Sequence, residues 1–252
     1  MKKTIFVLLS VMVFGCGDFS SNDVGPTFGG EGVSTGGSLA RFTIVGDYLY
    51  VVNDVSLIPI DITQLNMPKV LDQIELGVNI ETIFPYGDNL FVGSASAVYI
   101  FSIADPDNPE LLSTYWHSTG CDPVVVRGNY AYVTLREGES CGNFFDINVL
   151  EVVDITNLRN PVQVNSFNMV NPGGLGIGCG NKLYVCEGET GFVQFDITDP
   201  ANPVEEIRYQ DHFANDVIVN DSLVIFTGND GIYQYSCSSD TLRLLSKLPI
   251  SL

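Results

Sequence analysis

The chain has 252 residues, 45% of them hydrophobic, and carries 30 Asp and Glu against 11 Lys and Arg, for a formal net charge of −19 at pH 7. Its apolar fraction excludes a disordered chain and is sufficient for one large folded domain. Because such a negative surface repels phosphate backbones and anionic headgroups, the composition disfavours nucleic-acid binding.

Residues 1–15 have the pattern of a secretory signal peptide. Lys2 and Lys3 give a basic start, and the apolar run at residues 5–14, IFVLLSVMVF, is too short to span a bilayer. Gly15 directly before Cys16 resembles the bacterial lipobox, in which the cysteine is lipidated and becomes the first residue of the mature protein. We therefore predict lipidation of Cys16, with ordinary cleavage and a free cysteine as the alternative.

Residues 16–37 are rich in Gly, Ser, Asn and Asp, which is typical of a flexible tether between a lipid anchor and a folded body. No other segment approaches the roughly 18 uninterrupted apolar residues of a membrane helix. The sequence therefore predicts a lipoprotein of the bacterial cell envelope. Gly17 stands where an inner-membrane lipoprotein would carry Asp, which favours the outer membrane and a surface-exposed position.

Residues 38–252 repeat one pattern five times. Each copy has two apolar runs separated by a tight turn, and the turns lie at Gly46, Gly87, Gly128, Gly180 and Asn220. The intervals between these turns are 41, 41, 52 and 40 residues. A period near 40 residues is typical of proteins built from repeated supersecondary units.

Each copy is predicted to contain four short antiparallel strands. The turn makes a hairpin of the first two strands, and a third apolar strand ends in Asp-Ile-Thr, as at residues 154–156 and 196–198. Asp and Thr can bond the local backbone there, and a fourth strand follows. The sequence therefore predicts an all-β fold, a five-bladed β-propeller of four-stranded antiparallel blades. A six-bladed ring completed by the tether or by a partner is the alternative.

The segments LEVVDIT (150–156) and FVQFDIT (192–198) resemble the LVIVD repeat of bacterial surface and secreted proteins. The first and fifth copies depart from that motif, at Pro59 and at Ser236-Cys237. The resemblance implies a propeller in the cell envelope and no defined activity.

Candidate binding residues are those predicted on one side of the propeller. The loops between second and third strands and the connections between blades emerge on this side, which we call the loop face. The third copy carries an insertion in such a loop, at residues 136–148. The predicted binding residues of the loop face are Asp54, Trp116, His117, Asp122, Arg136, Glu187, Glu189, Asp216 and Asp230.

Cys121 and Cys141 lie in the connection into the third blade and in its insertion. We predict a disulfide between them, because an oxidising envelope favours the bond, with Cys186 as the competing partner. Cys179 and Cys237 are expected on the opposite face as ordinary buried thiols. The sequence has no CxxC motif or histidine cluster, so no zinc site is predicted.

The predicted function is a non-catalytic binding, adhesion or scaffolding module that is monomeric and binds an unknown protein or glycan. The alternative is an extracellular glycan-active hydrolase that uses paired carboxylates of the loop face as acid and nucleophile or base. No catalytic residue, metal or cofactor is assigned. Calcium stays open as a ligand of the acidic loops, although the Asp-x-Asp-x-Asp-Gly pattern is missing. Trp116 is expected to pack against the insertion rather than to stack on a sugar.

Overall fold

The computed structural model describes residues 37–77, 79–117, 123–136, 147–237 and 241–250. The described residues form 21 β-strands and contain no helix that could cross a membrane. The predicted signal peptide, Cys16 and the tether up to residue 36 lie outside the described residues, as do Cys121, Asp122 and Cys141.

The strands form five antiparallel sheets, each built from consecutive strands. Blade 1 contains β1 Phe42–Val45, β2 Tyr48–Val52, β3 Ser56–Asp61, β4 Lys69–Val70 and β5 Ile74–Glu75. Blade 2 contains β6 Ile80–Tyr86, β7 Asn89–Ser94, β8 Ala97–Ser102 and β9 Glu110–Trp116. Blade 3 contains β10 Val124–Arg127, β11 Tyr130–Leu135, β12 Val149–Asp154 and β13 Val162–Asn168. Blade 4 contains β14 Leu175–Gly178, β15 Lys182–Cys186, β16 Phe192–Asp196 and β17 Val204–Tyr209. Blade 5 contains β18 Asp216–Asn220, β19 Leu223–Gly228, β20 Gly231–Ser236 and β21 Arg243–Pro249.

The predicted five-bladed β-propeller is therefore confirmed. The first strands of blades 1 to 5 follow one another around the centre of the molecule. Blade 1 differs in one detail, because its predicted fourth strand is interrupted at residues 71–73 and forms the two short strands β4 and β5, which both pair with β3.

The repeated Asp-Ile-Thr segment has the structural role predicted for it. In three blades the Asp carboxylate accepts a hydrogen bond from the backbone N–H two residues later, at 2.7–2.8 Å, in the pairs Asp61–Thr63, Asp154–Thr156 and Asp196–Thr198. The intervening isoleucine N–H bonds back to the hairpin turn, as Ile197 does to the Asn181 carbonyl at 2.9 Å. The segment therefore closes the far end of each blade, on the side opposite the loop face.

Neighbouring blades pack face to face, so each has a front face toward the preceding blade and a back face toward the following one. A large aromatic ring lies at the centre of the back face in the first four blades. These rings are at most 1% exposed, and they belong to Tyr50, Phe91, Tyr132 and Tyr184. The equivalent residue of blade 5 is Ile225, which is partly exposed.

The junction between blade 5 and blade 1 differs from the other four. One core cluster joins blades 1 and 2, a second joins blades 2, 3 and 4, and a third joins blades 4 and 5. None of these clusters of described residues spans blades 5 and 1. On the front face of blade 1, Phe42 is 62% exposed and Ile44 is 50% exposed. The blade 5–blade 1 junction is therefore open where the others are closed, and we call it the seam.

Candidate functional site

The loop face collects the predicted binding residues that the structure describes. Asp54, Glu187, Glu189 and Asp230 lie in loops between second and third strands, and Asp216 begins β18. These loops bond to the connections between blades, as where His117 N–H donates to the Ser96 carbonyl at 3.2 Å. The topology therefore places the described candidates on one side of the propeller.

Asp54 is exposed and paired with a cation of its own blade. The Arg41 guanidinium donates to the Asp54 carboxylate at 2.6 Å and to the Ile80 carbonyl at 2.9 Å. Arg41 thus links the loop face of blade 1 to the first strand of blade 2. The sequence reasoning missed Arg41, because 13 residues and a complete hairpin separate it from Asp54.

Arg136 lies at the end of the second strand of blade 3 and is half-buried. Burial raises the pKa of Glu81 in blade 2, and the positive charges of Arg136 and Arg41 act in the opposite direction. Glu81 is a second residue that the sequence reasoning missed, because it lies inside a predicted strand rather than in a loop. Arg41, Glu81 and Arg136 form a charged group across the first three blades.

Glu187 is completely buried and has its own cation. Its carboxylate accepts hydrogen bonds from the Arg208 guanidinium and from the Val170 backbone N–H, the latter at 2.8 Å. Arg208 also contacts Glu205 at 3.1 Å. Glu189, two residues further on, is exposed. Because Glu187 is buried and ion-paired, its role is to hold the loop after β15.

Asp230 is held by a lysine and a tyrosine of the same blade. Lys247 Nζ lies 2.8 Å from the Asp230 carboxylate, and the Tyr233 hydroxyl donates to it at 2.5 Å. The lysine and tyrosine hydrogen bonds lower the pKa of Asp230. Lys247 also lies over the Tyr233 ring, 4.8 Å from its centroid, a cation–π contact.

Asp216 is largely buried, like Glu187. Unlike Glu187, it is held by a hydroxyl and by backbone N–H groups rather than by a cation. It accepts hydrogen bonds from the Ser38 hydroxyl at 3.4 Å and from the backbone N–H groups of Val217 and Leu39. Burial raises the pKa of Asp216 to about 6. Ser38 is fully buried and also accepts from Leu175 N–H at 2.6 Å. Asp216 therefore fixes residues 37–40 against blades 4 and 5.

Trp116 does not pack as expected. It is the last residue of β9, and its side chain is 69% exposed at the rim of the loop face. His117 follows it, and the rings of His117 and Tyr115 lie 6.2 Å apart. An exposed Trp is a suitable surface for stacking on a ligand ring or for contact with a partner protein.

The disulfide of the described residues joins Cys179 to Cys237, with Cα atoms 5.8 Å apart. The expectation that these two are ordinary thiols is therefore wrong. Cys186 is a free, fully buried thiol whose pKa is raised by burial. The predicted Cys121–Cys141 bond lies outside the described residues.

The repeat itself contained a signal for this disulfide. The turn between third and fourth strands of one blade packs against the preceding blade, as Asp107 of blade 2 does against the Tyr48 hydroxyl at 2.8 Å. Cys237 takes the place of isoleucine in that turn of blade 5, and Cys179 lies in the hairpin turn of blade 4. The sequence places the two cysteines on the same face of adjacent blades, and the packing of this turn on the preceding hairpin brings them within bonding distance.

The arrangement separates the carboxylates instead of pairing them. Asp54, Glu187 and Asp230 each bond a different cation, and Asp216 bonds a hydroxyl and backbone groups. Across the described residues, no three or more His, Cys, Asp or Glu side chains converge as metal ligands would. A small cavity lies away from this face, between blades 2 and 3, and apolar residues such as Phe91, Ile100 and Val153 line it.

The sequence repeats and the fold resemble those of known proteins. A family model for the LVIVD repeat matches residues 36–70, 121–139 and 179–211. No curated protein matches the sequence. The similar solved structures include a protein from Lactobacillus plantarum, with a TM-score of 0.66 and 15% identity over 80% of this chain and 67% of its own.

Two further solved structures carry functional names. The periplasmic gluconolactonase PpgL of Pseudomonas aeruginosa has a TM-score of 0.64 and 14% identity over 81% of this chain and 68% of its own. Apo AztD of Citrobacter koseri has a TM-score of 0.59 and 16% identity, and this chain covers 60% of it with 81% of its own residues. At such identities the likeness establishes the fold alone and says nothing about activity. The matched segments and the sheets together identify the chain as a five-bladed β-propeller that contains LVIVD repeats.

Proposed function

We propose that this propeller is a non-catalytic binding module that uses its loop face for adhesion or scaffolding, and that a lipid on Cys16 anchors it to the outer membrane at the cell surface. The observation that carries the proposal is the contrast between the carboxylates and Trp116. The carboxylates with cation partners serve the loops of the protein itself, whereas the single Trp of the chain is 69% exposed at the rim. A binding surface needs exposed aromatic area, and a hydrolase needs two carboxylates facing one substrate.

The Cys179–Cys237 disulfide supports export. Such bonds persist in oxidising compartments and are rare in the reducing cytosol. Together with the signal-like residues 1–15 and the lipobox-like Gly15-Cys16, it favours the cell envelope. In cells, Cys16→Ser should abolish incorporation of labelled fatty acid and release the protein from the membrane fraction. Unchanged labelling of that variant would contradict the anchor.

The binding role is tested with Trp116→Ala and a matched control. Leu65→Ala removes an apolar side chain that is 87% exposed in the turn between the third strand and β4, on the opposite side of the propeller. Both variants and the wild-type protein are measured against an array of purified glycans and against purified envelope proteins. Trp116→Ala should weaken binding by about tenfold or more, and Leu65→Ala should leave it unchanged. Equal loss in both variants would argue against the loop face.

Hydrolysis is the second candidate, and one specific observation favours it. Asp216 is a largely buried carboxyl with a pKa raised to about 6, the property of a general acid. A gluconolactonase is among the proteins of similar fold. Turnover of sugar lactones or glycosides that disappears in Asp216→Asn would support this role, and equal turnover in both proteins would exclude Asp216 as the acid.

A further inference from the structure

We infer that the seam is a self-association surface, in which the front face of blade 1 in one copy packs on the back face of blade 5 in a second copy. Such self-association differs from the monomer predicted from the sequence. It uses the faces of two sheets and is independent of any ligand at the loop face. Its basis is the exposure of residues whose equivalents in other blades are buried.

The front face of blade 1 is wholly apolar at its centre. It carries Phe42, Ile44, Leu49, Val51, Ile58 and Ile60, and none of these side chains is buried. The registers of the strands align Leu49 with Leu90 in blade 2 and Leu183 in blade 4, both fully buried at 0% exposure. The amino-acid types of blade 1 thus suit a closed junction, but no sheet of the described residues covers them.

The back face of blade 5 also exposes aliphatic side chains, although Gln234 and Asp216 lie on the same face. Ile218 and Ile225 are directly opposite one another on β18 and β19, and both are partly exposed. Leu248, opposite Ile232 on the outer strand, is 62% exposed. In blade 4 the position of Ile225 belongs to Tyr184, which is 1% exposed because blade 5 covers it.

The repeat makes these two faces complementary. Four times in one molecule, the back face of a blade packs on the front face of the next, and the two free faces are the two halves of a fifth such junction. Within one molecule, residues 37–40 supply a contact across the seam, where Ser38 bonds Asp216 of blade 5. The Ala40 carbonyl accepts from Ile83 of blade 2 at 2.8 Å, so this segment turns toward the centre rather than along the sheets.

A second copy is therefore the occupant that the two exposed faces favour. Its blade 5 presents a back face with exposed Ile218, Ile225 and Leu248, the kind of face that every other front face in the chain already meets. Burying exposed aliphatic side chains on both sheets would stabilise the contact, because apolar surface would be removed from water. Because two different faces meet, the contact is heterologous rather than a two-fold pairing of one face with itself.

The test is co-capture of two full-length copies that carry different affinity tags, coexpressed and solubilised in excess detergent. Ile44→Glu places a charge on the front face of blade 1, and Ile225→Glu places one on the back face of blade 5. Wild-type copies should capture one another. Each variant should fail to capture a second copy of itself, with a loss of about tenfold or more for a charge buried in the contact.

The decisive arm mixes the two variants. An Ile44→Glu copy keeps its blade 5 face and an Ile225→Glu copy keeps its blade 1 face, so the two should capture each other to within about twofold of wild type. Recovery would also show that both variants fold. Leu65→Glu, on an exposed turn away from the seam, should behave as wild type. Absence of capture between wild-type copies, or an Ile225→Glu copy that still captures itself, would overturn the inference; the second result would indicate that blade 1 pairs with blade 1, or that another segment covers blade 5.

Discussion

Cys179, in the hairpin turn of blade 4, is bonded to Cys237, which directly follows the third strand of blade 5. Blade 5 packs against blade 4 through one face and leaves the other face at the open seam. A blade within the array has two packed neighbours, whereas blade 5 has one. The disulfide is therefore a covalent tie at one of the two blades that have a single packed neighbour.

Removing this bond should destabilise the protein. The two cysteines are 58 residues apart, and a closed loop of that size restricts the unfolded chain enough to contribute about 4 kcal/mol in the chain-entropy model. Replacing both Cys179 and Cys237 by Ala should lower the free energy of unfolding by about 2–4 kcal/mol in urea titrations.

The reductant control separates this bond from the disulfide predicted between Cys121 and Cys141. A Cys121→Ser, Cys141→Ser variant keeps the bond between blades 4 and 5. Dithiothreitol should destabilise this variant by the same amount as the replacement of Cys179 and Cys237 by Ala destabilises the protein. Hydrogen exchange should rise first in the strands of blade 5. An unchanged free energy of unfolding after the loss of Cys179 and Cys237 would contradict the stabilising role of this disulfide.

The Glu187–Arg208 pair gives a second prediction. Glu187 is fully buried, so Arg208→Ala would leave a buried carboxylate without its cation, at a cost of about 3–5 kcal/mol. Adding Glu187→Gln to that variant should restore much of the loss, because the charge is then gone and the Val170 N–H still has an acceptor. Urea midpoints of the four proteins in this cycle measure the coupling. Losses that simply add would show that the two side chains do not interact.

Several levels of this architecture could be predicted from the sequence. The period of about 40 residues and the Asp-Ile-Thr turns indicate five blades, because a tight turn and a local carboxylate bond depend on residues close in the chain. The same reasoning placed Asp54, Glu187, Asp216 and Asp230 on one face, since strand alternation determines on which side a loop emerges.

The partners of those carboxylates could not be predicted. Arg208 lies 21 residues beyond Glu187 and Lys247 lies 17 beyond Asp230, on the outer strands of their blades. Such pairs depend on strand register, and in both blades the register shifts at a bulge where the outer strand pairs with the third strand. The open seam could likewise not be predicted from the sequence, because the front face of blade 1 is as apolar as the faces that are covered.

Asp196 and Lys182 allow a direct titration. Hydrogen bonds from Lys182 and from Thr198 lower the pKa of Asp196 to about 2. Lys182→Met should raise this pKa toward the ordinary value for Asp, while the Thr198 bonds keep part of the shift. A carboxyl whose folded-state pKa is lowered stabilises the protein above its unfolded pKa, and this contribution is lost as the pH falls toward 2. NMR titration of the carboxyl carbon measures the change, and an unaltered pKa in Lys182→Met would show that Thr198 alone sets it.

Asp216 should give the opposite dependence on pH. Burial raises its pKa to about 6, so its charged form is disfavoured in the folded state. The charges of Asp216 and Glu187 add to burial in raising the pKa of the Cys186 thiol. A carboxyl with a raised folded-state pKa contributes stability that is complete below its unfolded pKa, near 3.9, and is lost as the pH rises through about 6. One pKa unit corresponds to about 1.4 kcal/mol. Between about pH 5 and about pH 8, the free energy of unfolding of the wild-type protein should therefore fall by about 1 kcal/mol more than that of Asp216→Asn. Urea titrations at the two pH values measure this difference, in which titrations common to both proteins cancel. Parallel pH profiles for the two proteins would mean that water reaches Asp216, and the Ser38 contact would then be an exposed hydrogen bond rather than a buried attachment of residues 37–40.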